Sequence, residues 1–256
     1  MGIHPSAIVD KGAKVSNKAD IGPYSVVGPK VRIEDDVVVG PHVVLDGSTT
    51  IGNGTRIFSG AAVGVPSQDK KYDGNLNTLV IGRSNVIREY VTINPGSLAG
   101  TSTIIGSGCL LMAYSHVAHD CVLEDDVIMA NSATLAGHIH IESCAIIGGL
   151  TAVHQFVRVG RYSIAGGCSK VTKDVLPYAK VDGHPTRCFG LNTVGLKRRG
   201  LPEDVQKALK AAFKLLFRSS LNTSQALARI ESDLEMIPEI ENIVTFIRNS
   251  KRGICK

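Results

Sequence analysis

Read in steps of six residues from Ile3, the chain gives Ile3, Val9, Val15, Ile21, Val27, Ile33, Val39, Leu45, Ile51, Ile57 and Val63, each an Ile, Val or Leu. If those three residue types make up roughly a quarter of ordinary sequence, chance produces such a run on the order of once in a million. Four positions after nearly every member stands a small or β-branched residue: Ala7, Ala13, Ala19, Ser25, Val31, Val37, Val43, Thr49, Thr55 and Ala61. Two positions of each hexad therefore face inward. The phase returns at Ile81, Ile87 and Ile93, and again from Ile105 to Val171 with small partners such as Cys109, Cys121, Ala133 and Ala145. A six-residue period matches neither a helix, at about 3.6, nor simple strand alternation, at about 2. It fits a parallel β-helix in which each hexad makes one flat face and three faces close a coil of about 18 residues.

Composition supports that reading. Aromatics are 5% of the 256 residues and Trp is absent, so the core is built from small aliphatic side chains. A β-sandwich, the plainer alternative, would space its turns irregularly, about 8 to 12 residues apart. Two stretches break the period and read as outward loops, one over 66–78 and one over 95–103. After Val171 the pattern leaves the prism by way of Val175 to Pro185. Helical spacing then begins behind Pro202, behind the cap candidates Asn222, Thr223 and Ser224, and at about Pro238. The division expected is a β-helix over 1–190 and a small α-helical domain over 191–256.

A formal charge of +5 suits an anionic ligand and falls short of a nucleic-acid signature. No apolar run approaches the roughly 20 residues of a membrane span, and Met1 to Pro5 does not open a signal segment, so a cytoplasmic protein is expected. Six scattered cysteines without a Cys-x-x-Cys pair argue for reduced thiols and against a four-thiolate zinc site.

Stacking at about 18 residues per coil puts His119, Gly137 and Gln155 in one column and Asp120 and His138 in the next, with His116 and His154 beside them. An imidazole is the usual general base near neutral pH, and a carboxylate on its other nitrogen fixes the tautomer. His119 and Asp120 supply that pair. Gly137 leaves its amide open to a developing oxyanion, since no side chain blocks the approach. No serine or cysteine nucleophile accompanies them, which leaves direct attack by a substrate hydroxyl or amine. Lys197-Arg198-Arg199 is either a solvated charge run or an anion site suited to phosphate.

The segments Ser115-His116-Val117-Ala118-His119-Asp120-Cys121, Leu135-Ala136-Gly137-His138, Val153-His154-Gln155-Phe156 and Gly195-Leu196-Lys197-Arg198-Arg199-Gly200, in this order on hexads and followed by three helices, resemble the UDP-N-acetylglucosamine O-acyltransferase family of hexapeptide-repeat acyltransferases. The resemblance covers nearly the whole chain. It implies a left-handed β-helix, a homotrimer with sites between adjacent prisms, and no cofactor beyond the phosphopantetheine of acyl carrier protein. It also implies transfer of an (R)-3-hydroxyacyl group from that carrier to the glucosamine 3-hydroxyl of UDP-N-acetylglucosamine, the first step of lipid A biosynthesis. By the same likeness His119 is the general base, Asp120 its partner and Gly137 the oxyanion donor.

Asp69, Lys71, His116, His138 and Gln155 would then meet the sugar nucleotide, Asn192, Arg198 and Arg199 its ribose and diphosphate, and His154 and Gly167 the acyl groove. The chain departs from the family pattern at Val194, where an acidic residue is expected, and at Asn94 and Pro185, where histidines are. Three other readings compete. A diamino-sugar nucleotide acceptor would give an amide, a γ-type carbonic anhydrase would use three imidazoles on zinc, and a scaffold prism would do no chemistry.

Overall fold

The computed structural model describes residues 2–72, 74 and 77–256; the remaining positions of the first loop, 73, 75 and 76, lie outside the described residues. Strands only two residues long, Ile8–Val9, Lys14–Val15 and Asp20–Ile21, fall into three different sheets, and the next, Val26–Val27, returns to the first. Repetition builds parallel sheets of nine and eight strands and a ten-stranded sheet that ends in an antiparallel hairpin. These are the first, second and third faces of a left-handed β-helix.

In each two-residue strand the second residue points inward. Val27, Leu45, Val63, Ile93, Val117 and Leu135 are buried to within 1% on the first face alone. Chain neighbours in a coil cannot pair with one another, so backbone hydrogen bonds run between coils, as from the Val26 N–H to the Val43 carbonyl at 2.9 Å. Register follows from the period: Val117 stands beside Leu135 and Leu135 beside Val153.

At the edges the backbone turns through the left-handed region even without glycine, with φ of 59° at Tyr24, 56° at Tyr90, 59° at both Asp120 and His138, and 56° at Tyr162. Such a conformation costs about 1–2 kcal/mol per residue. Stacking along the edges offsets part of that cost: Tyr24 lies on His42 at 5.1 Å, Tyr90 on Tyr114 at 5.2 Å and Tyr162 on Tyr178 at 5.9 Å between ring centroids.

Both loops leave from the same edge. The first departs after Ala62–Val63 on the first face and re-enters at Thr78–Ile81 on the second. The second departs after Thr92–Ile93 and re-enters at Ser102–Ile105, one coil higher and on the same two faces. The final residues of each loop as read from sequence, Thr78 and Ser102 to Thr103, are thus already strand.

The end of the prism differs from expectation. Instead of simply leading away, Val175 bridges Val159, and Ala179–Gly183 extends the third face before turning into an antiparallel partner, Thr186–Leu191. Helix α1, Thr193–Arg198, follows; six residues are too few to show helical periodicity, and the sequence reading missed it. The three longer helices are α2 (Glu203–Phe217), α3 (Thr223–Asp233) and α4 (Pro238–Arg248). Asn222 and Gln225 form a reciprocal capping box on α3, and Pro238 opens α4.

The tail returns to the prism, where the Ser250 hydroxyl donates to Asp174 at 2.7 Å and the Arg158 guanidinium lies 4.3 Å from the Phe246 ring centroid. Among the described residues no helix is long and apolar enough to cross a membrane.

Candidate active site

His119 and Asp120 occupy the edge between the first and second faces, directly above the two loops. The His119 Nδ1 lies 2.8 Å from Asp120 Oδ2. Only 8% of the Asp120 side chain is exposed, and it is held from several sides. Its Oδ2 accepts from the Ser97 hydroxyl at 2.6 Å, and the Ser97 N–H reaches both carboxylate oxygens at 3.2 and 3.3 Å. The Asp120 N–H donates to Thr103 Oγ1 at 2.8 Å. Burial by itself would raise the Asp120 carboxyl, but hydrogen bonds from Ser97 and His119 and the nearby His138 hold it below the usual carboxylate range. The partner of the base is therefore an anion at neutral pH.

One coil above, Gly137 lies against the His119 ring. A Cβ there would stand 3.0 Å from Nδ1 and closer still to Nε2 and Cε1. No side chain fits. The Gly137 N–H has no hydrogen-bond acceptor among the described residues.

His138 packs edge-on against His119 with centroids 5.1 Å apart, stacks on Phe156 at 4.8 Å, and places Nε2 3.6 Å from Asp120 Oδ2. From the first loop, Asp69 Oδ2 comes within 3.7 Å of His119 Nε2, the nitrogen left free by Asp120. Asp69 is braced by Ser67 Oγ on its N–H, and its Oδ1 accepts from the Lys71 N–H at 3.0 Å. His116 Nδ1 sits 2.7 Å from Thr92 Oγ1, and burial, with the neighbouring His119, lowers its pKa below the ordinary imidazole value. His154 and Gln155 lie exposed on the same edge two coils up, the His154 Nδ1 3.1 Å from the Gln155 carbonyl oxygen. Asn94, where a histidine was expected, donates from Nδ2 to the carbonyls of Val65 and Pro66, both at 3.2 Å, and so ties the two loops together at their base.

The remaining candidates do not join this cluster within one chain. Gly167 lies on the edge between the third and first faces. Asn192 donates to the Tyr162 carbonyl at 2.9 Å, on the edge between the second and third faces. Arg198 lines a cavity of about 260 Å³ with Asn192, Val194, Ile146 and Ile164 against the third face. Arg199 follows α1 and comes 4.0 Å from Asp126 Oδ2 on the same edge as Tyr162. A larger cavity of about 730 Å³, between the terminal hairpin and α2, is lined by Phe213, Phe217, Lys210 and Lys214 and lies away from His119.

Sequence reading passed over Ser97, Thr92 and Thr103. The only available signal was that both loops interrupt the hexads at the same phase, one coil and two coils below His119.

The three-imidazole zinc reading finds no support in this arrangement. His116 and His154 turn to other partners, and the converging donors, within 4.8 Å of one another, are His119, Asp120 and His138, two imidazoles and a carboxylate.

Residues 174–255 match the second domain of UDP N-acetylglucosamine O-acyltransferase, and residues 102–137 match the bacterial transferase hexapeptide repeat. The acyl-acyl-carrier-protein–UDP-N-acetylglucosamine O-acyltransferase of Thermodesulfovibrio yellowstonii is 45% identical over 255 residues, 99% of each chain. The enzyme of the same name from Anaeromyxobacter dehalogenans is 46% identical over all of both chains. Among solved structures, the UDP-N-acetylglucosamine O-acyltransferase of Moraxella catarrhalis superimposes with a TM-score of 0.95 at 41% identity over 100% of both chains. The UDP-N-acetylglucosamine acyltransferase of Arabidopsis does so at 0.88 and 34%, over 99% of this chain and all of its own.

Proposed function

The chain belongs to the UDP-N-acetylglucosamine O-acyltransferase family, and from that premise we propose how its residues carry acyl transfer from acyl carrier protein to UDP-N-acetylglucosamine, the entry to lipid A biosynthesis. His119 Nε2 takes the proton of the glucosamine 3-hydroxyl as that oxygen attacks the thioester carbonyl of an (R)-3-hydroxyacyl carrier protein. Asp120, on Nδ1, keeps Nε2 unprotonated beforehand and supports the imidazolium that forms. The tetrahedral oxyanion accepts from the Gly137 N–H, and collapse expels the phosphopantetheine thiolate, which takes from His119 the proton that the sugar hydroxyl gave up. Nothing in the cycle calls on a metal or a resident cofactor. Asp69 and Lys71 orient the sugar from the first loop with His116, His138 and Gln155. Asn192, Arg198 and Arg199 take the ribose and diphosphate, and His154 and Gly167 border the acyl chain.

The observation that carries this reading is the dyad set against a side-chain-free, unpaired amide. The separation of the nucleotide residues from that dyad, on another edge of the same prism, argues for a homotrimer in which one protomer's first–second edge meets its neighbour's third face. The outward positions of the third face support such contact. Val86, Leu110, Ile128, Ile146 and Ile164 form a half-buried apolar strip, and a head-to-tail contact of this kind closes into a ring.

Complementation tests both ideas. His119→Ala and the Arg198→Ala, Arg199→Ala double variant should each lose transfer of the acyl group. Hybrid assemblies refolded from an equal mixture should regain about a quarter of wild-type activity, since each shared site needs an intact residue set from each of two neighbours. Retention of activity by His119→Ala overturns the mechanism; hybrids no more active than their parents overturn the shared site.

A further inference from the structure

We infer that Ser97, on the second loop, is a positioning residue that locks the Asp120 carboxylate, and through it the His119 ring, in the orientation needed for proton transfer. The inference rests on the acyl-transfer reading above for its kinetic consequences but not for its geometry.

Ser97 is 2% exposed, and its hydroxyl makes the shortest hydrogen bond to the carboxylate, 2.6 Å against 2.8 Å from His119 Nδ1. Both land on Oδ2, and His138 Nε2 lies 3.6 Å from the same atom. That oxygen therefore has two imidazoles within reach, and which one it serves depends on the rotation of the carboxylate. The Ser97 N–H bridges both oxygens while its hydroxyl pulls on one, which leaves a single rotamer. In that rotamer Oδ2 faces the Nδ1 of His119.

Loop anchoring does not explain the contact. The loop is braced internally, because Thr101 Oγ1 donates to the Leu98 carbonyl at 2.9 Å and the Leu98 N–H donates to Thr101 Oγ1 at 3.2 Å. Its base is held by Asn94. Without the Ser97 hydroxyl these ties remain, and so does the Ser97 N–H.

The test compares Ser97→Ala and Ser97→Thr with wild type by steady-state kinetics across pH and by ¹⁵N spectra of the imidazoles. Ser97→Ala should lower kcat about 10- to 100-fold, as expected for a misaligned base, with the KM for UDP-N-acetylglucosamine within about twofold. Ser97→Thr, which keeps the hydroxyl, should restore most of the rate. The ¹⁵N spectra should show one His119 tautomer, protonated at Nδ1, in wild type and a mixture in Ser97→Ala.

A kcat near wild type, or a single His119 tautomer in Ser97→Ala, refutes the inference. So does an equal loss in both variants with an unchanged His119 tautomer, which would make Ser97 a packing residue. If wild type transfers no acyl group, the functional reading fails, and the tautomer comparison still decides the role of Ser97.

Discussion

Gly137→Ala separates catalytic geometry from fold with one methyl group. The backbone at 137 lies outside the left-handed region, so alanine meets no conformational penalty there. What it meets is the His119 ring, 3.0 Å from Nδ1 and nearer at Nε2 and Cε1. Those distances are inside van der Waals contact, and the ring has to yield because the neighbouring backbone is fixed by inter-coil hydrogen bonds, including His138 N–H to the His119 carbonyl at 3.0 Å. Forcing a methyl into a packed site costs about 1–3 kcal/mol. A ring displaced by roughly 1 Å from its attack geometry costs about 100-fold in rate.

The assay is kcat for acyl transfer alongside urea unfolding of Gly137→Ala, His119→Ala and the double variant. With the ring removed, the three atoms nearest the methyl are gone, so the double variant should unfold like His119→Ala alone and the cycle should return a coupling of about 1–3 kcal/mol. A Gly137→Ala enzyme within threefold of wild type, or an equal destabilisation with and without His119, refutes the claim that Gly137 exists to seat the imidazole.

Arg199→Ala should raise the KM for UDP-N-acetylglucosamine about tenfold or more with a smaller change in kcat, read by initial rates; the reverse pattern would move Arg199 from nucleotide binding to the chemistry. Stability should fall on acidification in two stages, followed by thermal melts between pH 7 and pH 3. The pKa of His116 is lowered in the fold from 6.5, so the unfolded chain takes up its proton first and stability drops as pH falls below that value. Asp120 is lowered from 3.8, so its contribution is present above that value and disappears as pH falls through its lower folded pKa. His116→Asn should flatten the first stage and leave the second, and an identical profile would show that His116 is not responsible.

The hexads alone determined the prism, because an inward Ile, Val or Leu every six residues is a local constraint that only a flat-faced coil satisfies, and coil length then makes residues 18 apart neighbours. That is why His119, Gly137 and Gln155 could be placed in one column, and Asp120 with His138 in the next, before any coordinates. Across the loops the register changes: Val63 pairs with Ile93 and Ile93 with Val117, spacings of 30 and 24 that no fixed period supplies.

Loop conformation obeys no periodicity, so the approach of Ser97 to Asp120 and of Asp69 to His119 was decided by tertiary packing on their shared edge. The hairpin Ala179–Gly183 with Thr186–Leu191 and the short α1 likewise follow from docking onto the end of the third face, not from pattern. Their placement is also what carries Asn192 and Arg199 to a different edge from the dyad and Arg198 to the third face. Sequence could name both groups of residues, but only the folded prism, whose edges face in separate directions, could put them apart.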